Sequence, residues 1–215
     1  MKFNFLKDCG ENFCKFFDWT VDYLCQHKKK IVIANSRNID LGDSKCSGWC
    51  DGETITVAKK NPLFEQVYCH EFSHMTQCIE KHAVWKDEYE FWKHLDKQNL
   101  CPKNWAAVME VIALEHDCEK RSLAFGKKWK LFDTEKYAQQ ANLYLFYYQY
   151  VYLKQKWIDS TSIYHPILLG KMPKKIAPLS SFNSINMPLM ALFDECLEKK
   201  GKFYKKGFTW NKLKL

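Results

Sequence analysis

Glycine and proline are scarce, at 8 and 6 of 215 residues. That scarcity argues against long disordered or low-complexity tracts. No segment approaches the ~20 consecutive apolar residues that a membrane helix needs. The first 17 residues contain Asp8 and Glu11 and no unbroken apolar run, so no secretory leader is expected. No C-x-x-C pair accompanies Cys46 and Cys50, which speaks against a structural zinc knuckle there, and free thiols are expected at both. Ten cysteines in a chain this long and without a leader suggest reduced thiols and a cytoplasmic setting. No nucleic-acid recognition motif accompanies the net charge of +8, although lysine runs at 28–30, 127–130, 171–175 and 199–206 leave a nucleic-acid or acidic partner open. No membrane partner is expected, and the oligomeric state is not encoded in any visible pattern.

What is present is apolar and aromatic: 47% hydrophobic and 16% aromatic residues, enough for one densely packed domain. Phe13, Phe17, Val21 and Leu24 stand at helical spacing and predict a first helix over 11–27. Residues 31–35 read as a short strand. An Asp51-Gly52 turn between β-prone runs at 44–49 and 54–59 predicts a hairpin. Asn61-Pro62 predicts the start of a helix running to about 82. Further helices are expected over 84–97, from Asn104 to about 125, over 134–156 and over 187–199, the last within an irregular tail. Trp105 and the tyrosine-rich stretch 144–152 are expected in the core, as are Cys69 and Cys78 as small apolar groups.

One motif carries chemistry. His70-Glu71-Phe72-Ser73-His74 fits H-E-x-x-H, in which two imidazoles one turn apart grip a zinc ion and the glutamate acts on water as the catalytic base. Phe64, Tyr68, Phe72, Met75 and Ile79 form an apolar stripe that turns His70 and His74 toward a cleft. A third protein ligand is needed. Val108, Ile112, Glu115, Glu119 and Ser122 share a helix face, and two carboxylates continuing an apolar stripe make sense beside a metal. Glu115 is the expected ligand, with Glu119 orienting a ligand histidine. Glu119 itself, and His94 from a following helix, remain alternative ligands. His82 lacks the turn glycine and spacing of a metzincin third histidine. Tyr144, Tyr148, Tyr164 and His165 are open candidates for stabilising an oxyanion.

The chain here resembles the gluzincin metallopeptidases. Glu115-x-x-Cys118-Glu119 is similar to their N-E-x-x-S-D element, with the glutamate as ligand and the acidic residue four positions later as its support. Compact ImmA/IrrE-like and SprT-like intracellular proteins, often carried by phages, bacteria and large viruses, look similar in size and element order. The resemblance covers about residues 46–122. It departs in a 40-residue separation between His74 and Glu115 and in Ser73, where glycine is common.

The resemblance implies an α+β, mostly helical, zincin-like fold. It would have a small antiparallel or mixed sheet, an edge strand before the motif helix and a helical C-terminal part. One domain, 1–215, would divide into 1–82, 83–158 and 159–215. The strand at Thr54, Ile55, Thr56 and Val57 would be the edge that pairs with an extended substrate. The implied function is zinc-dependent hydrolysis of an intracellular protein or peptide, with one zinc ion per chain and Glu71-assisted attack of zinc-bound water. A protein of this type carried by a virus would act in the host cytoplasm. The alternative is a binding or regulatory module on the same fold, with a structural or degenerate metal site.

Overall fold

The computed structural model describes residue 6 and residues 9–40, 45–81, 101–157 and 163–197. The expected helix at 84–97, His82 and His94 lie outside the described residues. The described residues form an α+β fold that is mostly helical, with a small mixed sheet and a smaller antiparallel one.

Helix α1 (Glu11–Gln26) buries Phe13, Phe16, Phe17, Thr20 and Leu24, the face that helical spacing marks out. Strands β1 (Lys30–Ala34), β2 (Ile39–Asp40), β3 (Lys45–Cys46), β4 (Gly48–Cys50) and β5 (Thr54–Ala58) follow. The hairpin forms between β4 and β5. Asp51 Oδ1 accepts from the amides of Glu53 at 2.8 Å and Thr54 at 2.6 Å, while Gly52 takes φ 83°, which a side chain would strain.

Residues 54–57 do not form the edge strand expected of them. Strand β5 is the middle strand, pairing β1 in parallel and β4 antiparallel. Ile55, Val57 and Ala58 are fully buried, and the strand with most to bury takes the position covered on both sides. Its two backbone edges are therefore engaged. The short Gly48-Trp49-Cys50 segment takes an outer position of the sheet.

Helix α2 (Phe64–Ile79) starts two residues later than a cap at Asn61 and a first-turn Pro62 suggest. Asn61 Oδ1 accepts from the Leu63 amide in the preceding turn, so the cap residue shapes the approach and not the helix itself. After Glu80, Lys81 adopts φ 54°. Phe64, Tyr68, Phe72 and Met75 are buried against α1 and β5, as the stripe predicts.

Helix α3 (Trp105–Trp129) opens on Asn104, whose side chain accepts from the Ala107 amide, and runs four residues beyond the expected end at 125 to a left-handed Lys130. Helix α4 (Thr134–Lys154) is capped by Asp133. Short helix α5 (Pro166–Leu169), a 3₁₀ turn (Leu179–Phe182) and helix α6 (Met187–Leu197) complete the described chain. The tail segment is tied down by amides of α4. Gln139 donates to the Leu169 and Met172 carbonyls, Asn142 to those of Pro173 and Lys175, and Gln149 to that of Phe182. Among the described residues no helix is long and apolar enough to cross a membrane.

Two apolar clusters result. One joins α1, β5 and α2; the other joins α3, α4 and the tail, and includes Leu145, Tyr147, Tyr150 and Val151 with Trp105 and Tyr144 packed against it. The seam between them is the α2–α3 contact, which is apolar where Phe72 meets Phe125 and polar around Ser73 and Ser122. Ser73, which stands where glycine is common, is fully buried in this seam: it donates to the Cys69 carbonyl at 2.8 Å and lies 2.9 Å from Ser122 Oγ. A small hydroxyl on each helix lets the two backbones approach and satisfies both side chains at once.

Candidate metal centre

His70 and His74, one turn apart on α2, turn their Nε2 atoms toward each other at 3.1 Å. Glu115, from α3, brings Oε2 to 3.5 Å from both. These three atoms are the His-His-Glu set expected from the sequence, brought together across the seam. His70 and Glu115 keep 20% and 12% of their side-chain surface accessible.

The protons on the two rings can be assigned from their far sides. His70 Nδ1 lies 3.3 Å from Glu119 Oε1, an anionic acceptor, so the ring donates there. His74 Nδ1 lies 2.9 Å from Gln77 Oε1 and donates likewise. Both neutral rings then point a lone pair at the same spot. Glu115 Oε2 points there too and is a buried oxygen with no hydrogen-bond donor. Three acceptors converging without a proton repel one another, and a positive charge between them relieves this.

A tetrahedral transition-metal ion with bonds of ~2.0–2.1 Å needs ligand atoms about 3.3–3.4 Å apart. The observed triangle of 3.1, 3.5 and 3.5 Å has that size. The residues present therefore fit a metal ion.

The electrostatics agree. Burial is the largest single influence on His70 and His74 and opposes the charged ring. Cys118 with Glu119 at His70, and Cys118 with Glu115 at His74, together outweigh it and push both imidazoles well above their ordinary range. Glu115 shows the mirror image: burial raises its carboxyl, but His74, His70 and the Tyr148 hydroxyl bring it down to about 2.

Glu71 is buried beside the cluster, and its carboxyl is raised, chiefly by that burial, with His70 and His74 pulling the other way. It packs on β4: a Cβ at Gly48 would lie 2.6 Å from both Glu71 Cγ and Oε1 and 2.7 Å from Val67 Cγ1. Only glycine lets the strand lie so close to the carboxylate.

The remaining candidates separate by their contacts. Tyr148 donates to Glu115 Oε1 at 3.2 Å, so it supports the carboxylate ligand. Tyr144 stacks edge-on against Tyr148, with ring centroids 5.3 Å apart. Burial raises the Tyr164 hydroxyl, which lies close enough to Glu119 and His70 to feel both. His165 serves elsewhere, accepting from the Ile167 amide at 3.3 Å to cap α5. Thr54–Val57 lie in the sheet interior, as described.

Four residues near the centre escape a reading of the sequence for ligands. Tyr137, on α4, donates a short hydrogen bond to Glu119 Oε2. Gln77 and Gly48 have the contacts given above. Cys118, noted only for its place in the Glu115-x-x-Cys118-Glu119 element, joins the potential ligand atoms of His70, His74 and Glu115 in a group mutually within 4.8 Å. The i+3 spacing of Gln77 from His74 was the one visible signal, since it places the amide over the same face. Cys46 and Cys50 are half-buried free thiols, Cys46 pushed up to about 11, mainly by burial and then by Glu71. Cys69 is buried as expected, whereas Cys78 is half-buried.

Fold and cluster thus define an α+β chain with a His-His-Glu group of metal-binding geometry. Comparison with protein-family models, with curated proteins and with solved structures gives no match.

Proposed function

We propose that the chain is a zinc-dependent metallopeptidase of the gluzincin kind, with His70, His74 and Glu115 as zinc ligands and a protein or peptide as substrate. The observation that carries this reading is the convergence of His70 Nε2, His74 Nε2 and the unpartnered Glu115 Oε2, with the buried Glu71 beside them. A His-His-Glu donor set suits zinc and leaves one tetrahedral position for water or substrate.

When bound, the ion activates water and polarises the scissile carbonyl. Glu71 accepts the proton of the attacking water and passes it to the departing amine. A carboxyl whose burial raises it above the ordinary range holds that proton well enough to return it. Glu119 and Gln77 hold the two rings in the tautomer that leaves Nε2 free to bind. Tyr148 is committed to Glu115 and His165 to its cap. Tyr144 and Tyr164, both close enough to His70 to feel it, are left as the donors for a developing oxyanion.

With β5 engaged on both sides, the strand to receive an extended peptide is β4, an outer strand that lies against Glu71 at Gly48. Gly48→Ala is expected to displace Glu71 while leaving zinc content unchanged. A misplacement of about 1 Å at the base costs on the order of 10² in rate. Unaltered hydrolysis by that variant would remove the proposed contact from the mechanism.

A second reading makes the ion structural, with Cys118 closing the coordination shell. It rests on the proximity of Cys118 to the cluster. Its contacts argue otherwise: Sγ faces the Nδ1 side of His70 at 3.6 Å and donates to the His70 carbonyl at 3.3 Å. The two readings part in one experiment. Zinc-loaded chain should cleave an unfolded protein substrate, lose that activity to a chelator and regain it with zinc, and Cys118→Ser should keep its zinc. Zinc loss in Cys118→Ser together with no hydrolysis by the parent chain would favour the structural ion.

A further inference from the structure

The two imidazoles are supported unequally. His70 leans on a carboxylate, Glu119, itself held by Tyr137. His74 leans on an amide, Gln77, which no ligand pattern marks. Gln77 is fully buried, and its orientation is determined by what surrounds it. Its Nε2 lies 3.0 Å from the Leu114 carbonyl and 2.9 Å from Asp117 Oδ2. Both are acceptors, so the NH₂ must face them and Oε1 must face His74 Nδ1. Turning the amide over would set oxygen against two oxygens and NH₂ against the ring N–H.

Asp117 is fixed in turn. Arg121 donates from Nε to Asp117 Oδ2 at 2.6 Å, and from a terminal nitrogen to Glu80 Oε2 at 2.6 Å and Thr76 Oγ1 at 3.2 Å. Arg121 thus ties α3 to the last turn of α2. Asp117 presents its oxygen to Gln77, Gln77 presents its oxygen to His74, and His74 is left with its lone pair on Nε2. Every link is donor to acceptor, and reversing one reverses the next.

We infer that Gln77 is a positioning residue for the metal, an amide locked by Asp117 and the Leu114 carbonyl so that it accepts the His74 Nδ1 proton and aims Nε2 at the ion. The inference rests on the zinc reading above and concerns how that site is tuned. The chain spends a neutral acceptor on one ring and an anionic one on the other. The carboxylate that could have served His74 stands one step back, paired with Arg121. An acceptor on the distal nitrogen raises the basicity of a ligand histidine, and removing such a partner weakens metal binding by ~10–100-fold.

The test measures zinc affinity of the full chain by competition with a chromophoric chelator, together with the melting temperature of each metal-free variant. Gln77→Leu keeps the volume and removes the acceptor; it should bind zinc ~10–100-fold more weakly than the parent chain. Gln77→Met provides a second apolar replacement if the leucine variant does not fold. The double variant Gln77→Glu with Asp117→Asn moves the charge forward one step and keeps an acceptor on His74 Nδ1, so it should recover most of the lost affinity. A residue that merely packs the seam would lower the metal-free melting temperature and show no such recovery. The inference is overturned if the apolar variants bind zinc within about threefold of the parent, or if the double variant is as weak as they are. A parent chain that binds no zinc overturns the zinc reading itself and this inference with it. A parent that binds zinc beside an unaffected Gln77→Leu overturns this inference alone.

Discussion

Glu71→Gln should retain its zinc and its fold and lose at least ~10² in the rate of peptide hydrolysis, the usual contribution of a general base. The substitution is nearly isosteric, so the close packing against Gly48 survives. It takes away a buried carboxyl that already costs free energy to ionise, and the metal-free fold should be no less stable for the change. What disappears is the group able to take up and release a proton. Zinc content and kcat measured on the same preparation separate this outcome from loss of metal. Hydrolysis at the parent rate would transfer the base to another residue.

The two carboxylates of α3 should differ as sharply. Glu115 faces both Nε2 atoms, so Glu115→Ala removes a ligand, should release most of the zinc, and should lower the melting temperature of zinc-supplemented protein, because the ion then no longer ties α2 to α3. Glu119 touches only the far side of His70, where Tyr137 also holds it. Glu119→Ala should therefore weaken zinc by ~10–100-fold and remain loadable at saturating metal. Reversed phenotypes would make Glu119 the ligand. If zinc binding were indifferent to both, the third ligand would have to be sought elsewhere, beginning with His94.

How far the chain could be read without coordinates depended on whether an interaction was local. The apolar stripes of α1 and α2 and the Asp51-Gly52 turn are repeated within a few residues, and all stand where spacing puts them. The pairing of His70 and His74 is likewise local, one turn apart on a single helix. Glu115 lies on another helix, and what identified it was the oddity of two carboxylates continuing an apolar face. The β5 edge was misread because strand neighbours are chosen by partners distant in sequence: β1, more than twenty residues earlier, covers the side that an isolated hairpin would leave open. The role of Gln77 is only hinted at by its i+3 spacing from His74, for a similar reason. An amide on a helix can donate or accept, and only Asp117 and the Leu114 carbonyl, arriving from α3, decide which end meets His74.

The central claim is a zinc ion held by His70, His74 and Glu115, and metal content by mass spectrometry of the intact chain under non-denaturing conditions tests it most directly. Protein purified without chelator and resupplied with zinc should carry one zinc per chain, and Glu115→Ala, treated identically, should carry little or none. A parent chain that stays metal-free under those conditions would contradict the claim.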